Sequence, residues 1–266
     1  MKKHNKLSNF KGLFEHAITV SEIAEYFIAF DDEKDAAECL SFMQKKNFGI
    51  IGVQKEGRII GYAENVKSDG ILRDYLQEFC DDNIIPYNTP LLNALNHLSK
   101  SDYGFVSAFG HVVGIFTKAD IHKPAVRLWL FGLVSILEIN MQAIIKQEYS
   151  GDSWKGKLKE GRLEKVQKLY ENLKRGKEEI DELSCCQFCD KRTLIEANSK
   201  ILDVIGKSKD EFNEFAKKVE EQRNDIAHPA KMDVSGFSQI FELAGEIEGM
   251  IAKIESVTSD GGNNWE

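Results

Sequence analysis

The chain has 266 residues, of which 42% are apolar and 29% charged, and at roughly 100–200 residues per domain this length suggests two domains. Asp and Glu number 43 against 35 Lys and Arg, for a formal net charge of −8 and a pI near 5.4; this excludes a protein that coats nucleic acid unspecifically but leaves room for a local basic face. The basic start, Met1-Lys2-Lys3-His4-Asn5-Lys6, runs into no apolar segment of the signal-peptide kind, so the chain reads as soluble and cytoplasmic.

Apolar residues at helical spacing predict a helix over Asp35 to Lys46 and another over Pro90 to Lys100. Behind the first, Gly49 to Val53 and Arg58 to Ala63 flank the turn Gln54-Lys-Glu-Gly57; behind the second, Phe105 to Ala108 and His111 to Phe116 flank Phe109-Gly110. Each reads as a β-hairpin. The two helix-plus-hairpin units are copies. An offset of 55 sets Cys39-Leu40 on Ala94-Leu95, Met43 on Leu98, and Phe48-Gly49-Ile50-Ile51 on Tyr103-Gly104-Phe105-Val106. An offset of 53 then sets Gly57-Arg-Ile-Ile-Gly61 on Gly110-His-Val-Val-Gly114, which places a two-residue deletion in the turn of the second copy. A unit of about 50 residues struggles to bury its own apolar face, so the copies should pack as one pseudo-symmetric domain.

The second copy closes with Gly114-Ile-Phe-Thr117-Lys-Ala-Asp120. This strand entering a helix, with Thr and Asp three apart, resembles the closing motif of the tandem cystathionine-β-synthase-type (CBS) domain pair. The resemblance covers about residues 17–123, with repeats at about 17–68 and 69–123. It implies an α/β fold and an adenine nucleotide (ATP, ADP, AMP or S-adenosylmethionine) as regulatory ligand. Thr117 would face its phosphate and Asp120 the ribose hydroxyls; the chemistry suits a helix N-terminus and a carboxylate acceptor. A plainer reading makes Thr117 the cap of the following helix and Asp120 its first-turn support. The first copy has Glu64-Asn-Val-Lys67 at the matching positions. Glu64 would repel phosphate and Lys67 cannot accept from ribose, so one working site per chain is expected, with a dimerisation scaffold as the alternative role of the pair.

From residue 124 the pattern is helical throughout, with helices expected at 125–149, 158–183, 192–206, 209–227 and 235–256 and a disordered tail at 258–266. The most apolar stretch, Val126 to Ile139, contains Arg127 and Glu138 and falls short of the ~20 residues of a membrane span, so no membrane association is expected. Ser208-Lys-Asp-Glu211 opens one helix in a capping arrangement. Cys186-Gln-Phe-Cys189 is a single CxxC without a second pair; zinc sites use about four ligands, so no metal is expected, and Cys185, Cys186 and Cys189 read as buried or incidental thiols around a helix-helix turn, with a redox-sensitive pair as the lesser reading.

Two features of this half bear on chemistry. A run from Lys155 through Lys157, Lys159, Arg162 and Lys165 to Lys177 is basic within an acidic chain, and is a candidate RNA-binding face or a solvated helix face. At the end of the fourth helix stands Arg223-Asn224-Asp225-Ile226-Ala227-His228-Pro229. It resembles the R-x4-6-H motif of HEPN domains, an all-α family that includes metal-independent endoribonucleases, with Asn224 as the polar residue favoured after the Arg. The resemblance implies a helical bundle over 124–257, a homodimer with a composite groove, and a catalytic set of Arg223, Asn224 and His228. It implies cleavage of single-stranded RNA by attack of the 2′-hydroxyl, without a catalytic cofactor. Toxin or defence roles follow from the family alone. Two other readings remain: Arg223 and His228 serving the C-terminal end of their helix, and a HEPN-like bundle that binds RNA or protein without cutting. The whole chain then reads as a nucleotide-regulated ribonuclease or, alternatively, as a non-enzymatic nucleotide sensor whose helical part holds a partner.

Overall fold

A computed structural model describes residues 6–176, 180–227 and 237–258. The chain divides into two compact units, one spanning Gly12–Val126 and the other spanning Arg127 onward together with the residues up to Lys11. The division falls inside helices α1 (Lys6–His16) and α4 (Pro124–Glu148).

In the first unit, strands β1 (Glu25–Tyr26) and β2 (Ala29–Asp31) precede helix α2 (Ala36–Lys46) and the hairpin β3 (Ile50–Lys55) and β4 (Arg58–Glu64). Strand β5 (Ile84–Pro86), helix α3 (Leu91–Leu98) and the hairpin β6 (Tyr103–Ala108) and β7 (His111–Thr117) repeat the pattern. One sheet has the order β2-β3-β4 and the other β1-β7-β6-β5. In both, the short first strand runs parallel to the hairpin's first strand, and the helix makes the crossover.

The register moves the deletion inferred from the sequence. Ile50 faces Glu64 and Tyr103 faces Thr117, and both hairpins slip at one place, between Val53 and Gln54 and between Val106 and Ser107. The hairpins therefore match throughout at an offset of 53, and the coincidence of Gly49 with Gly104 is accidental. Both turns are two-residue turns with positive φ, at Glu56 and Gly57 (52° and 75°) and at Phe109 and Gly110 (51° and 79°). Such a turn holds its register only at that length. The missing residues lie ahead of the hairpin: α2 has 11 residues and stops at left-handed Asn47, whereas α3 has 8 and stops at Ser99 without one. The equivalent glycines Gly61 and Gly114 admit a neighbouring backbone, since a Cβ would meet Gln77 O at 2.3 Å and Glu25 O at 3.0 Å.

Ala36, Cys39, Met43, Ile51, Val53, Ala63, Val66 and Leu72 form the core of the first copy. A second cluster joins the copies, with Tyr62 of β4 against Phe105 of β6 at 4.9 Å between ring centroids. The two copies thus meet through an apolar cluster to which both contribute.

In the helical unit, α4 is followed by α5 (Glu160–Arg175), α6 (Phe188–Glu196), α7 (Ser199–Ile205), α8 (Lys209–Ala227) and α9 (Phe237–Thr258). The helix expected over 158–183 ends at Arg175, with Gly176 behind it. The one expected over 192–206 begins earlier and is two helices, because Asn198 leaves helical geometry and its side chain accepts from the N–H groups of Lys200 and Ile201. The cap expected for α8 is present: Ser208 N–H donates to Glu211 at 2.7 Å, and Glu211 N–H donates to Ser208 Oγ at 3.2 Å. Residues 259–266 of the expected tail lie outside the described residues, and Thr258 ends α9.

Helix α4 falls where the helix over 125–149 was expected; its 25 residues are long and apolar enough to cross a membrane by length and composition, a test that buried core helices also pass. Its most apolar window is 56% buried within the protein. The two charges of the stretch Val126 to Ile139 have partners inside the unit: Arg127 Nε donates to Ile226 O at 3.0 Å, and Glu138 pairs with Lys191 at 3.0 Å.

Candidate functional site

The C-terminal turn of α8 lines a cleft of about 590 Å3. Glu220, Arg223 and Asn224, spaced three and four apart, bring one face of the helix to it. Glu138 of α4 and Leu169 of α5 contribute further, and Ser184 through Cys189 form the segment leading into α6. A cleft of this size lies within the roughly 300–1,000 Å3 common for small-ligand sites.

The charges of the cleft are ordered by the residues behind it. Glu138 is held by Lys191, itself only 4% exposed, and Glu220 is held by Arg192 at 2.5 Å. Arg223 and Asn224 are exposed, and Arg223 forms no ion pair with a described residue. The cation that serves the end of α8 is Arg127, whose guanidinium donates twice to the carbonyl of Ile226. Arg223 is therefore not needed for that duty among the described residues. His228, the third member of the expected set, lies outside the described residues.

The expected RNA-binding residues separate into two groups. Arg162 binds Asp190 through Nε and Nη2, both at 2.7 Å, and Asp190 is 2% exposed. Lys155 pairs with Asp152 at 2.9 Å and Glu182 at 2.6 Å. Those two are committed to the fold. Lys157, Lys159 and Lys165 are exposed, with no ion pair to a described residue. The uniform basic stripe read from the sequence is interrupted because acidic residues distant in the chain, Glu182 and Asp190, return to it in the fold.

In the first unit, Thr117 caps a short 3-10 helix over Lys118–His122, with its Oγ1 accepting from Ala119 N–H at 3.2 Å. Asp120 completes the box by accepting from Thr117 N–H at 2.6 Å on Oδ2. Its other oxygen pairs at 2.8 Å with Lys123, which also reaches Glu25 at 3.0 Å and donates to Ile23 O at 2.6 Å. At 7% exposure, Asp120 has both oxygens engaged inside the unit. The capping arrangement is realised, and a ribose could use the carboxylate only after Lys123 released it. In the first copy, Glu64 accepts from Gln77 at 3.3 Å, Asn65 turns left-handed (φ 56°), and Lys67 is exposed. With no acceptor at the position of Asp120, no cap forms there.

The three cysteines around the cleft were read from sequence as thiols near a turn or as a redox-sensitive pair. Their convergence on Arg223 depends on the break before α6 and carries no signature in spacing. Cys185 and Cys186 are 6% and 3% exposed, and burial raises both thiols, that of Cys186 to about 12. No group of three or more His, Cys, Asp or Glu among the described residues is arranged to hold a metal ion.

The raised Cys186 thiol has a consequence for stability. Above pH 9 the unfolded chain releases this proton while the folded one keeps it until about 12, so stability falls with rising pH across that window. One such proton corresponds to about 1.4 kcal/mol per pH unit. Urea midpoints for wild type and Cys186→Ala should therefore diverge in slope above pH 9, with the variant losing less; parallel slopes would mean that the thiol titrates alike in both states.

No protein-family model and no curated protein matches the chain. Among solved structures, an uncharacterised conserved protein from Pyrococcus horikoshii is 16% identical over 40% of this chain and 90% of its own, at a TM-score of 0.35. A conserved CBS-domain protein of unknown function from Thermoplasma acidophilum is 17% identical over 39% of this chain and 67% of its own, at 0.34. The CBS domain of a bacterial CNNM/CorC family Mg2+ transporter, in complex with ATP, is 18% identical over 43% of this chain and 91% of its own, at 0.35.

Proposed function

We propose that the helical unit is a HEPN-type, metal-independent endoribonuclease that acts on single-stranded RNA as a homodimer, and that the paired repeats are a CBS-type regulatory module for an adenine nucleotide. The observation that carries the ribonuclease reading is the state of Arg223. It stands exposed on the wall of a cleft whose two lining carboxylates, Glu138 and Glu220, are already held by Lys191 and Arg192. A permanently charged guanidinium with no ion pair to a described residue suits a phosphate, and in the reaction it would stabilise the charge of the phosphorane. His228 would move the protons of the attacking 2′-hydroxyl and the leaving 5′-oxygen, as a histidine titrating near neutrality can. Asn224 would orient His228 or the phosphate. Unpaired RNA fits because its backbone and bases are open to such a site, and Lys157, Lys159 and Lys165 are exposed cations that could meet the strand. The test is cleavage of RNA in EDTA by wild type, Arg223→Ala and His228→Ala.

A nucleotide that binds one dimer arrangement more tightly would shift the helical units into or out of a productive composite groove. Any such ligand must raise the melting temperature, by about 2.7 kcal/mol of stabilisation at 100 times its Kd. ATP, ADP, AMP and S-adenosylmethionine are the ligands to compare, and Lys123→Met, which frees one oxygen of Asp120, should strengthen the response. A flat melting temperature with all four, in wild type and Lys123→Met alike, would end the sensor reading. The engagement of Asp120 by Lys123 favours one second reading, in which the repeats serve as a scaffold.

A further inference from the structure

Cys185, Cys186 and Cys189 line the same cleft as Arg223, and they differ in what surrounds them. The first two are more than nine-tenths buried, and their thiols make no hydrogen bond to a described residue. Cys189 is half-buried in the first turn of α6, and Arg162 Nη2 donates to its Sγ at 3.3 Å. Because Asp190 grips that guanidinium on both nitrogens, the cation is fixed beside the sulfur. Partial exposure next to a fixed cation is the setting in which reactive thiols are found, whereas buried apolar surroundings leave thiols inert.

We propose that Cys189 is a modification site that takes a small anionic disulfide, of the oxidised-glutathione kind, and holds one half of it in the cleft. The sulfur of Cys189, as thiolate, attacks one sulfur of the reagent; a new S–S bond forms, the reagent's own S–S bond breaks, and the other half leaves as a thiolate. That leaving thiolate ends with the proton Cys189 gave up. No other oxidant is needed: the Cys189 sulfur rises from the thiol to the disulfide level, the retained reagent sulfur stays at the disulfide level, and the leaving sulfur falls to the thiol level. Arg223 supplies the preference for an anion, being the cleft-lining cation without a described acidic partner. The adduct persists: Cys186, the neighbour that could expel it, is 3% exposed and its thiol is pushed up to about 12, so it stays protonated near neutrality. The adduct would occupy the space in front of Arg223 and Asn224. This proposal concerns thiol chemistry and stands whether or not the cleft cuts RNA.

The test uses full-length Cys80→Ser, because Cys80 is exposed in the other unit and would react as well. Incubated folded with oxidised glutathione near neutral pH, this protein should gain one glutathionyl group, mapped by peptide mass to Cys189. Arg223→Gln should slow the reaction severalfold with oxidised glutathione and not with cationic cystamine. Mapping on the folded parent does not depend on any cysteine variant being stable, so a Cys189→Ser protein that fails to fold leaves the test intact. Modification at Cys185 or Cys186 in place of Cys189, an internal disulfide in place of the adduct, no reaction before unfolding, or an equal effect of Arg223→Gln on both reagents would each overturn the proposal.

Discussion

Arg162→Ala is expected to cost about 3–5 kcal/mol, because it leaves a buried carboxylate without its cation. Asp190 is 2% exposed, and its two oxygens receive Arg162 Nε and Nη2 at 2.7 Å each and the N–H of Gln187 at 2.9 Å. The last contact starts α6, so the same carboxylate caps a helix and anchors α5 to it. Thermal unfolding should fall by about 10 °C for a unit of this size. Asp190→Asn should cost less: the amide oxygen still accepts from Gln187, and Arg162, with 31% of its side chain exposed, can turn to water. Equal costs for the two variants, or a loss below 1 kcal/mol for Arg162→Ala on the scale of exposed ion pairs, would contradict this account. The result also governs how RNA binding is to be tested. Charge reversal across the whole run from Lys155 would damage the fold, whereas Lys157, Lys159 and Lys165 can be reversed without breaking an ion pair to a described residue.

Arg223→Ala is expected to lower RNA cleavage by about 10²–10³, the effect of removing one donor to a developing oxyanion. His228→Ala should lower it by about 10²–10⁴, as expected for loss of a general acid or base. Arg223→Ala should not unfold the protein. Arg223 is exposed with no ion pair to a described residue, and Arg127 rather than Arg223 holds the carbonyl at the end of α8. The double variant should be little worse than the weaker single one, because groups that act on one transition state are not additive. A drop in cleavage matched by an equal drop in melting temperature would assign Arg223 to the fold instead.

The repeat was legible because its signals are local: a helix period, a period of two, and glycines where a turn or a close approach demands them. The position of the two-residue deletion was not. Gly49 and Gly104 coincide by accident, and only the paired strands show that Gly104 stands where Ile51 does. The box of Ser208 and Glu211 was readable from four consecutive residues. The break at Asn198 was not, since an Asn within an apolar period looks like any polar helix residue until its side chain is seen capping α7. At the candidate sites, residue type pointed to Arg223 and Asn224 but could not show that Glu138 and Cys186, distant in the chain, share their cleft. Nor could it show that Lys123 occupies Asp120 or that Arg162 is committed to Asp190. The Arg162 pairing joins residues 28 apart, which no spacing announces; Lys123 stands only three residues after Asp120, but its further contacts with Glu25 and Ile23 O, far back in the chain, are seen only in the fold.

The most direct test of the ribonuclease reading is single-turnover incubation of a mixed-sequence single-stranded RNA with the full-length protein in EDTA, with and without adenine nucleotides, alongside Arg223→Ala and His228→Ala. The account predicts products ending in 2′,3′-cyclic phosphate with wild type and their loss in both variants; intact RNA under every condition, or cleavage that survives both substitutions, would contradict it.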